Sequence, residues 1–388
     1  MIPSSGADGS PPGAGDGAIA LELAASPAAQ SRAVSPDPAR SSARRTSSTA
    51  SMVLQALTAV AALALACAAA VFAAAPREAL PTLAGARLAG PLVVVHGGVG
   101  SPPAVADGPR AAATAALETL ARGGSSLDAA VAGTVWLEND PRFNAGTGAN
   151  IRLDGKTIQM DAALMTGEGR FAAVGAIERV RNPIRVARAV MDRTPHLFLV
   201  GEGATRFAHR AGFEDVVPTC PEAEAKYRAR IQRLNELYAR TDTSAYDWRR
   251  YWNFPNPMPP DVVAWRRHGD TVGTVARDSL GRFAVTLSTG GTSVTLYGRV
   301  GDVPVYGCGL YAGPAGAVAC TGEGEEIIKR FMARSVYEQM AKGVSARDAL
   351  DQTVRAFPQH FDLGLIAVDR NGWGVAANRP MAYGVAGR

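Results

Sequence analysis

The sequence predicts a layered α/β fold that is rich in antiparallel strands. The 388 residues are 47% hydrophobic and 19% charged, which is enough apolar material for one large domain. Segments with strand character and segments with helix character come in blocks, and they do not alternate as they do in a doubly wound parallel sheet. Two strand-turn-strand patterns, centred near residues 280 and 371, supply local antiparallel pairs.

The N-terminal part of the chain differs from the rest. Residues 1–51 are rich in Ala, Ser, Pro and Gly without periodic apolar residues, so we expect them to be disordered. Residues 52–75 form an uncharged Ala/Leu/Val segment that is either a signal peptide or a membrane anchor. Its small-residue exit favours cleavage after Ala75 and export to the periplasm or medium. Alternatively, translation starts at Met52, and the preceding residues are not part of the protein. The folded domain is expected over residues 76–388.

The first half of this domain opens with a strand and continues mainly with helices. Gly90–Gly100 is an apolar run that ends in a glycine-rich turn, as a buried strand does. Gly123 and Gly124 end one helix, and Ser125 or Ser126 can cap the next. The predicted helices are Pro109–Arg122, Leu127–Glu138, Pro183–Met191, Glu202–Ala211 and Cys220–Leu237. Asp140–Ile151 is predicted to be a loop that leads into a strand, and the segments at Asp154–Lys156 and Gly167–Gly169 are predicted turns between short strands.

The second half is predicted to contain more strands. Tyr246–Pro260 is aromatic and proline-rich, which is typical of an exposed connection. The predicted strands are a strand-turn-strand at Thr271–Leu296, a single strand at Gly316–Thr321 and a hairpin at Leu363–Val375. The predicted helices are Glu325–Lys342 and Ala346–Phe357.

Composition and missing motifs exclude several function classes. The net charge of +5 comes without a long Lys/Arg run, which argues against a nucleic-acid-binding stripe. There is no GxSxG elbow and no HExxH pair, so serine hydrolases of the elbow type and zincins are not indicated. Cys308 and Cys320 are either a disulfide or, more in keeping with their strand-like context, two buried thiols. His96, followed by two glycines, is expected to be structural.

The hairpin centred near Leu280 brings two threonines together. Asp278, Ser279 and Gly281 are turn residues, and positions 271 and 289 are each nine residues from position 280. Directly opposed residues of an antiparallel pair have Cβ atoms about 5 Å apart. Thr271 and Thr289 are therefore predicted neighbours, either as an ordinary cross-strand pair or as part of a site.

The dipeptide Asp270-Thr271 suggests what such a site does. An interior threonine becomes a nucleophile when the peptide bond before it is cut, and its new α-amino group then serves as the base. Such an amino group has a pKa of about 7.7–8.0, so a fair fraction is neutral near pH 7.5.

Two further glycine-rich turns carry candidate binding groups. Arg299 and Asp302 form either a loop ion pair or a clamp that holds a carboxylate and an ammonium group. In "CTGEGE", the Thr321 hydroxyl and the backbone N–H groups of Gly322 or Gly324 could meet at a developing oxyanion.

These motifs, in this order, resemble the threonine-type asparaginases, a family of Ntn hydrolases that includes isoaspartyl peptidase/L-asparaginase and glycosylasparaginase. The resemblance covers Leu92 to Val375. The motifs that carry it are VVVHGGVG, PRFNAGTGANI, MDAALMTG, VGAIERVRNPIRVARAVM, GDTVG, LSTGG, GRVGDVPVYGCGLYA and CTGEGEEIIKR. It implies a four-layer αββα sandwich, the Ntn-hydrolase fold.

The resemblance also implies an activity and roles for single residues. The chain would cut itself between Asp270 and Thr271 into an α-chain of residues 76–270 and a β-chain of residues 271–388. Thr271 would then attack the β-amide of an asparagine or isoaspartyl peptide and release aspartate. Thr289 would support the nucleophile, and Thr321 with Gly322 would form the oxyanion hole. The expected substrate-binding residues are Asn144, Arg299, Asp302, Gly322 and Gly324.

The resemblance finally bears on ions, assembly and substrate. No cofactor is required, but one loop resembles a structural Na⁺ site formed by the carbonyls of Leu137, Glu138, Asp140, Phe143, Ala145 and Thr147. A dimer of cleaved αβ heterodimers is expected. Asp270 before the nucleophile is typical of glycosylasparaginases, whereas the HGGVG and FNAGTG motifs are typical of the isoaspartyl peptidase branch. We expect isoaspartyl or asparagine substrates, with glycosylasparagine, or an inert binding protein, as the alternatives.

Overall fold

The computed structural model describes residues 90–238, 248–260, 270–292 and 295–387. The predicted disordered segment 1–51 and the predicted signal peptide or anchor 52–75 lie outside these ranges. Among the described residues, none of the helices combines the length and the apolar character needed to cross a bilayer.

Eleven strands of the described part of the chain form two sheets. In chain order they are β1 (Leu92–Val99), β2 (Met160–Thr166), β3 (Phe171–Ile177), β4 (Phe198–Val200), β5 (Val272–Arg277), β6 (Phe283–Thr289), β7 (Leu310–Gly313), β8 (Gly316–Gly322), β9 (Leu363–Asp369), β10 (Trp373–Ala377) and β11 (Met381–Gly387). One sheet has the order β11-β1-β5-β6-β2-β3-β4 and the other β10-β9-β8-β7. All neighbours pair antiparallel except β3 and β4, which are parallel.

The described residues form eight α-helices. They are α1 (Asp107–Ala121), α2 (Ser126–Glu138), α3 (Pro183–Arg193), α4 (Gly201–Arg210), α5 (Pro221–Tyr238), α6 (Gly324–Lys329), α7 (Met332–Ala341) and α8 (Ala346–Ala356). The predicted cap of α2 is present: Ser125 Oγ accepts from Asp128 N, and the Asp128 carboxylate accepts from Ser125 N.

Side chains that alternate between the two faces of each strand produce the layers of the fold. On β1, Val93 and Val95 belong to an apolar cluster shared with α1–α3, whereas Val94 belongs to a cluster shared with the four-stranded sheet. Successive side chains of a strand point to opposite faces, so the seven-stranded sheet is covered on both sides. With α7 and α8 against the smaller sheet, the order is helix, sheet, sheet, helix. The predicted four-layer αββα sandwich is confirmed.

Four local predictions need correction. The predicted helix Glu325–Lys342 is two helices, because Phe331 has a left-handed backbone with φ of 44°. The first N–H groups of α7 then donate to the carbonyls of Gly307 and Cys308, which fixes the new direction. Three strands were not expected: β4, which has three residues, β7, which pairs with β8, and β11, which pairs with β1 after the predicted final hairpin.

Cys308 and Cys320 are buried free thiols and do not form a disulfide. Burial raises the pKa of Cys308 to about 11 and that of Cys320 well above its ordinary value. Both thiols are therefore protonated near pH 7, and Cys320 belongs to the apolar cluster that includes the four-stranded sheet.

Candidate active site

The β5–β6 hairpin places Thr271 opposite Thr289. Val272 pairs with Ser288 and Arg277 with Phe283, so the register is centred on residue 280. One step further along the same register brings Thr271 opposite Thr289, as the residue count predicts. The turn is held by the Asp278 carboxylate, which accepts from the N–H groups of Leu280 and Arg282 at 3.0 Å each.

The surroundings of Thr271 keep it in one position. It directly precedes β5, an interior strand between β1 and β6, and it is only 5% exposed. A residue at this point has neighbouring strands on both sides, so its backbone has little freedom to move. The sheet therefore presents the Thr271 hydroxyl in a defined place.

The carbonyl oxygen of Asp270 accepts two hydrogen bonds from side chains. Asn144 Nδ2 donates to it at 2.8 Å, and Thr289 Oγ1 donates to it at 3.0 Å. These two donors draw electron density from the carbonyl of the Asp270–Thr271 peptide bond. The geometry is that of a site prepared for negative charge on this oxygen.

Both donors are themselves held. Thr289 Oγ1 accepts from Gly291 N at 2.9 Å, which leaves its own hydrogen for the Asp270 carbonyl. Asn144 Oδ1 accepts from Asn150 N, and Asn144 Nδ2 also donates to Gly291 O, each at 2.8 Å. Such support fixes the orientation of the amide and the hydroxyl before any reaction.

Arg299 makes an ion pair with Glu325 instead of a direct pair with Asp302. Its Nε and Nη2 donate to the two Glu325 carboxylate oxygens at 3.2 and 2.9 Å. Glu325 lies in the first turn of α6. A carboxylate bound across the guanidinium fork is what a substrate carboxylate would also require. The structure therefore shows Arg299 already holding a carboxylate of its own chain.

Asp302 lies beside this pair as a buried carboxyl group. It is 4% exposed, and its Oδ2 has no hydrogen-bond partner among the described residues. Burial raises the pKa of Asp302 to about 7, against the attraction of Arg299. Gly324 packs against both groups, since a Cβ there would come within 2.9 Å of Arg299 Nη2 and of Asp302 Oδ1.

Two buried charges that the sequence did not reveal hold the 299–302 turn. Asp161 accepts from Ala176 N at 2.8 Å and from Gly301 N at 3.2 Å. Arg152 Nη2 donates to Arg299 O at 3.2 Å, and the Arg152 side chain is fully buried. In the sequence, Arg152 and Asp161 are recognisable only as charged residues within apolar stretches. This pattern does not indicate which atoms they bind.

Thr321 and Gly322 lie at the end of β8. Thr321 is fully buried, and its Oγ1 accepts from Val99 N at 3.2 Å, which leaves its hydrogen available to another acceptor. Gly322 has φ of 140°, and a Cβ there would come within 2.1 Å of Asp362 O. Only glycine fits this position.

One small space joins most of the predicted residues. It is about 10 Å³ in volume and is lined by Asp270, Thr271, Thr289, Gly291, Thr292, Arg299, Gly301, Asp302 and Gly322. The predicted nucleophile, its neighbour, the two clamp residues and one residue of the oxyanion turn thus meet at one point. Asn144 reaches the same point through the Asp270 carbonyl, and Gly324 packs against the lining residues Arg299 and Asp302. Thr321 directly precedes the lining residue Gly322 in β8.

Comparison with known proteins shows the family of this chain. A family model described as asparaginase matches residues 89–385. The chain belongs to the asparaginase family. Members of this family are hydrolases with the Ntn-hydrolase fold, so the predicted family, fold and enzyme class are confirmed.

Relatives of this asparaginase-family chain come from distant organisms. The plant-type L-asparaginase of Pyrococcus furiosus is 37% identical over 290 residues, which is 72% of this chain and 90% of the relative. The isoaspartyl peptidase/L-asparaginase of Danio rerio is 37% identical over 291 residues, 73% of this chain and 87% of the relative. The isoaspartyl peptidase/L-asparaginase of Homo sapiens is 36% identical over 296 residues, which is 74% of this chain and 89% of the relative.

The loop predicted to hold Na⁺ follows α2 and includes a 3₁₀ turn at Gly146–Gly148. Among its carbonyls, those of Leu137, Asp140, Phe143 and Ala145 each accept a backbone N–H. Every carbonyl oxygen has a second lone pair, and oxygen ligands suit hard cations. These carbonyl groups are of the type that a monovalent cation binds, and a Na⁺ site at this loop stays a prediction.

His96 is buried in β1 opposite Gly273, whose missing side chain leaves room for the imidazole ring. Burial lowers the pKa of His96 to about 3. A ring with this pKa is neutral near pH 7 and is a weak base. In this asparaginase-family protein, its surroundings favour the packing role expected from the sequence.

Proposed function

We propose that this protein is an autoprocessing amidohydrolase with an N-terminal threonine nucleophile. Its proposed substrates are isoaspartyl peptides, L-asparagine or both, from which it releases L-aspartate. The observation that carries the proposal is the Asp270 carbonyl, which lies between two side-chain donors and directly precedes a threonine. The names of the relatives, plant-type L-asparaginase and isoaspartyl peptidase/L-asparaginase, support the substrate class.

The first proposed step is self-cleavage. Thr271 Oγ attacks the carbonyl carbon of Asp270, and the negative charge on the oxygen is stabilised by Asn144 Nδ2 and Thr289 Oγ1. The C–N bond breaks, a C–O ester bond forms, and the hydroxyl proton passes to the nitrogen. Water then hydrolyses the ester, which gives a carboxylate on Asp270 and a free α-amino group on Thr271.

The second proposed step is turnover of substrate. The α-amino group of Thr271 takes the hydroxyl proton, and the oxygen attacks the side-chain amide carbon of the substrate. Arg299 and Asp302 hold the α-carboxylate and α-amino groups, while Thr321 and Gly322 stabilise the oxyanion. The amine leaves with a proton, and water hydrolyses the β-aspartyl ester to release aspartate.

The size of the space beside Thr271 supports this order of events. About 10 Å³ is roughly the smallest volume that holds one water molecule, and an aspartyl group is far larger. In the uncleaved chain the position next to the clamp is filled by Asp270 itself. Substrate can therefore bind only after cleavage has released the α-chain end at Asp270.

Asp270 favours a second candidate function, that of a glycosylasparaginase. Burial raises the pKa of its carboxyl group, while Lys226, Asn144 and Arg230 act in the opposite direction. Against this candidate stand the HGGVG and FNAGTG motifs and the names of the relatives. We therefore rank glycosylasparagine below isoaspartyl peptides and asparagine.

Further properties are proposed with the activity. We propose a dimer of cleaved αβ heterodimers and no nucleic-acid partner. We propose that a structural Na⁺ is held by the carbonyls of the 137–147 loop and takes no part in the chemistry. Export is proposed from the uncharged segment 52–75 and its small-residue exit.

A denaturing gel and an aspartate assay test the proposal. We expect the purified chain to separate into two bands, of which the smaller begins at Thr271, and we expect aspartate release from β-Asp-Leu or L-asparagine. Thr271→Ala should remain in one piece and inactive, whereas Thr114→Ala, on the exposed face of α1, should behave as the wild type. A persistent full-length band without aspartate release would instead indicate an inert binding protein. Turnover of GlcNAc-asparagine alone would favour the glycosylasparaginase.

A further inference from the structure

A second cavity adjoins the active site on the other side of Asp270. Its volume is about 450 Å³, within the range of small-molecule pockets. Asp270 lines both this cavity and the small space that contains Thr271, Arg299 and Asp302. Removal of the Asp270 end after cleavage would therefore join the two into one continuous site.

Three cations of α5 line this cavity. Lys226, Arg230 and Arg233 follow one another at intervals of four and three residues, which places them on one face of the helix. Lys226 and Arg230 are half-buried, and Arg233 is exposed. Arg228, between them in sequence, lies outside the cavity lining and pairs with Glu224 at 3.6 Å.

The carboxylates that line the cavity do not neutralise the three cations of α5. Asp362 pairs with Arg379 at 3.3 Å. Lys226 Nζ donates to Gly148 O at 3.0 Å, which orients the amine without neutralising it. Asp270 is the carboxylate that Lys226 and Arg230 attract. After the Asp270 end has moved away, the three cations face an open cavity.

The position of the cavity matches the path of a leaving group. Val99 lines it, and Val99 N donates to Thr321 Oγ1 of the proposed oxyanion hole. The clamp residues Arg299 and Asp302 lie on the other side of Asp270. An aspartyl group held by the clamp would therefore direct its β-linkage, and whatever is attached to it, toward α5.

We propose that the cationic face of α5 binds the free α-carboxylate of the amino acid that leaves from a β-aspartyl dipeptide. This inference rests on the proposed function and narrows its substrate class. It makes the enzyme selective for isoaspartyl dipeptides with a free C-terminus over L-asparagine, whose leaving group is ammonia. Arg230 is the central residue of the subsite because it is flanked by the other two cations.

The test compares two substrates that differ in one charge. Fully cleaved enzyme, checked on a denaturing gel, is assayed with β-Asp-Leu and with β-Asp-leucinamide, in which an amide replaces the carboxylate. We expect kcat/KM to be about tenfold higher for β-Asp-Leu, mainly through KM, since about 1.4 kcal/mol corresponds to a factor of ten. In Arg230→Gln and Arg233→Gln the ratio should fall toward one, while Arg228→Gln should keep the wild-type ratio.

Salt gives a readout that needs no variant. These cations are partly exposed, so 0.5 M NaCl should screen them and lower the wild-type preference for β-Asp-Leu several-fold. A wild-type ratio near one, or equal losses on both substrates in Arg230→Gln, would overturn the subsite. If Arg230→Gln slows self-cleavage and leaves the ratio intact, the cations serve processing and the subsite is wrong. Lack of turnover of every β-aspartyl substrate by the cleaved wild type would be the failure of the proposed function itself.

Discussion

The side-chain amide of Asn144 lies 2.8 Å from the carbonyl oxygen of Asp270. This hydrogen bond joins the loop after α2 to Asp270, two residues before β5, so the first half of the chain contributes directly to the peptide bond in front of Thr271. Thr289 reaches the same oxygen from the opposite strand of the hairpin. Two elements that are distant in sequence thus act on one carbonyl.

Loss of either donor should slow self-cleavage. Removal of one oxyanion donor costs about 10²–10³ in rate in enzymes that have been studied. We expect Asn144→Ala and Thr289→Val each to slow the appearance of the β-chain by about a hundredfold on a gel time course. Asn371→Ala, at the exposed β9–β10 turn, is the control. Wild-type cleavage rates in both variants would contradict the role of these donors.

Asp302 should make ligand binding depend on pH. Burial raises the pKa of Asp302 to about 7, so the carboxyl is neutral below this pH and charged above it. Only the charged form attracts the ammonium group of aspartate. We expect the inhibition constant of L-aspartate to fall about tenfold between pH 6 and pH 8. The Asp302→Asn variant should bind L-aspartate weakly at both pH values. A constant that rises with pH would have the wrong sign for this carboxylate.

Asp161 should act on the substrate clamp without touching substrate. It holds Gly301 N, one residue before Asp302, and an amide in its place would present a donor to a donor. Because an unsatisfied buried group costs about 1–3 kcal/mol, Asp161→Asn should lower the melting temperature and raise KM more than it lowers kcat. Glu168→Gln, in the exposed β2–β3 turn, is the control. A fall in kcat at unchanged KM would argue against a positioning role.

The position of Thr271 was predictable because the information is local. Asp278 and Gly281 mark the turn, and counting outward from Leu280 gives the partner of Thr271 without reference to the rest of the fold. The helix boundaries before residue 240 were also close to the observed ones. There the signals are local: Gly123 and Gly124 follow the end of α1, Ser125 caps α2, and Pro183 and Pro221 begin α3 and α5.

The features that were missed depend on distant partners. Arg152 and Asp161 bind backbone atoms about 140 residues away, and no local pattern identifies such a contact. The break at Phe331 follows from hydrogen bonds to Gly307 and Cys308, while the local pattern continues as a helix. β11 contains two glycines, so its own sequence shows little strand character. It pairs with β1, almost 300 residues earlier, and no local pattern indicates this contact.

Gly324 should prove necessary for the clamp although it has no reactive group. A methyl group at this position would come within 2.9 Å of Arg299 Nη2 and of Asp302 Oδ1, so both side chains would have to shift. We expect Gly324→Ala to raise KM about tenfold, with self-cleavage preserved because Asn144 and Thr289 lie elsewhere. Gly203→Ala, where an added Cβ meets nothing within 4 Å, should leave KM unchanged. Since KM and the cleavage rate are measured on the same preparation, an unaltered KM in Gly324→Ala would show that this part of the wall does not limit substrate binding.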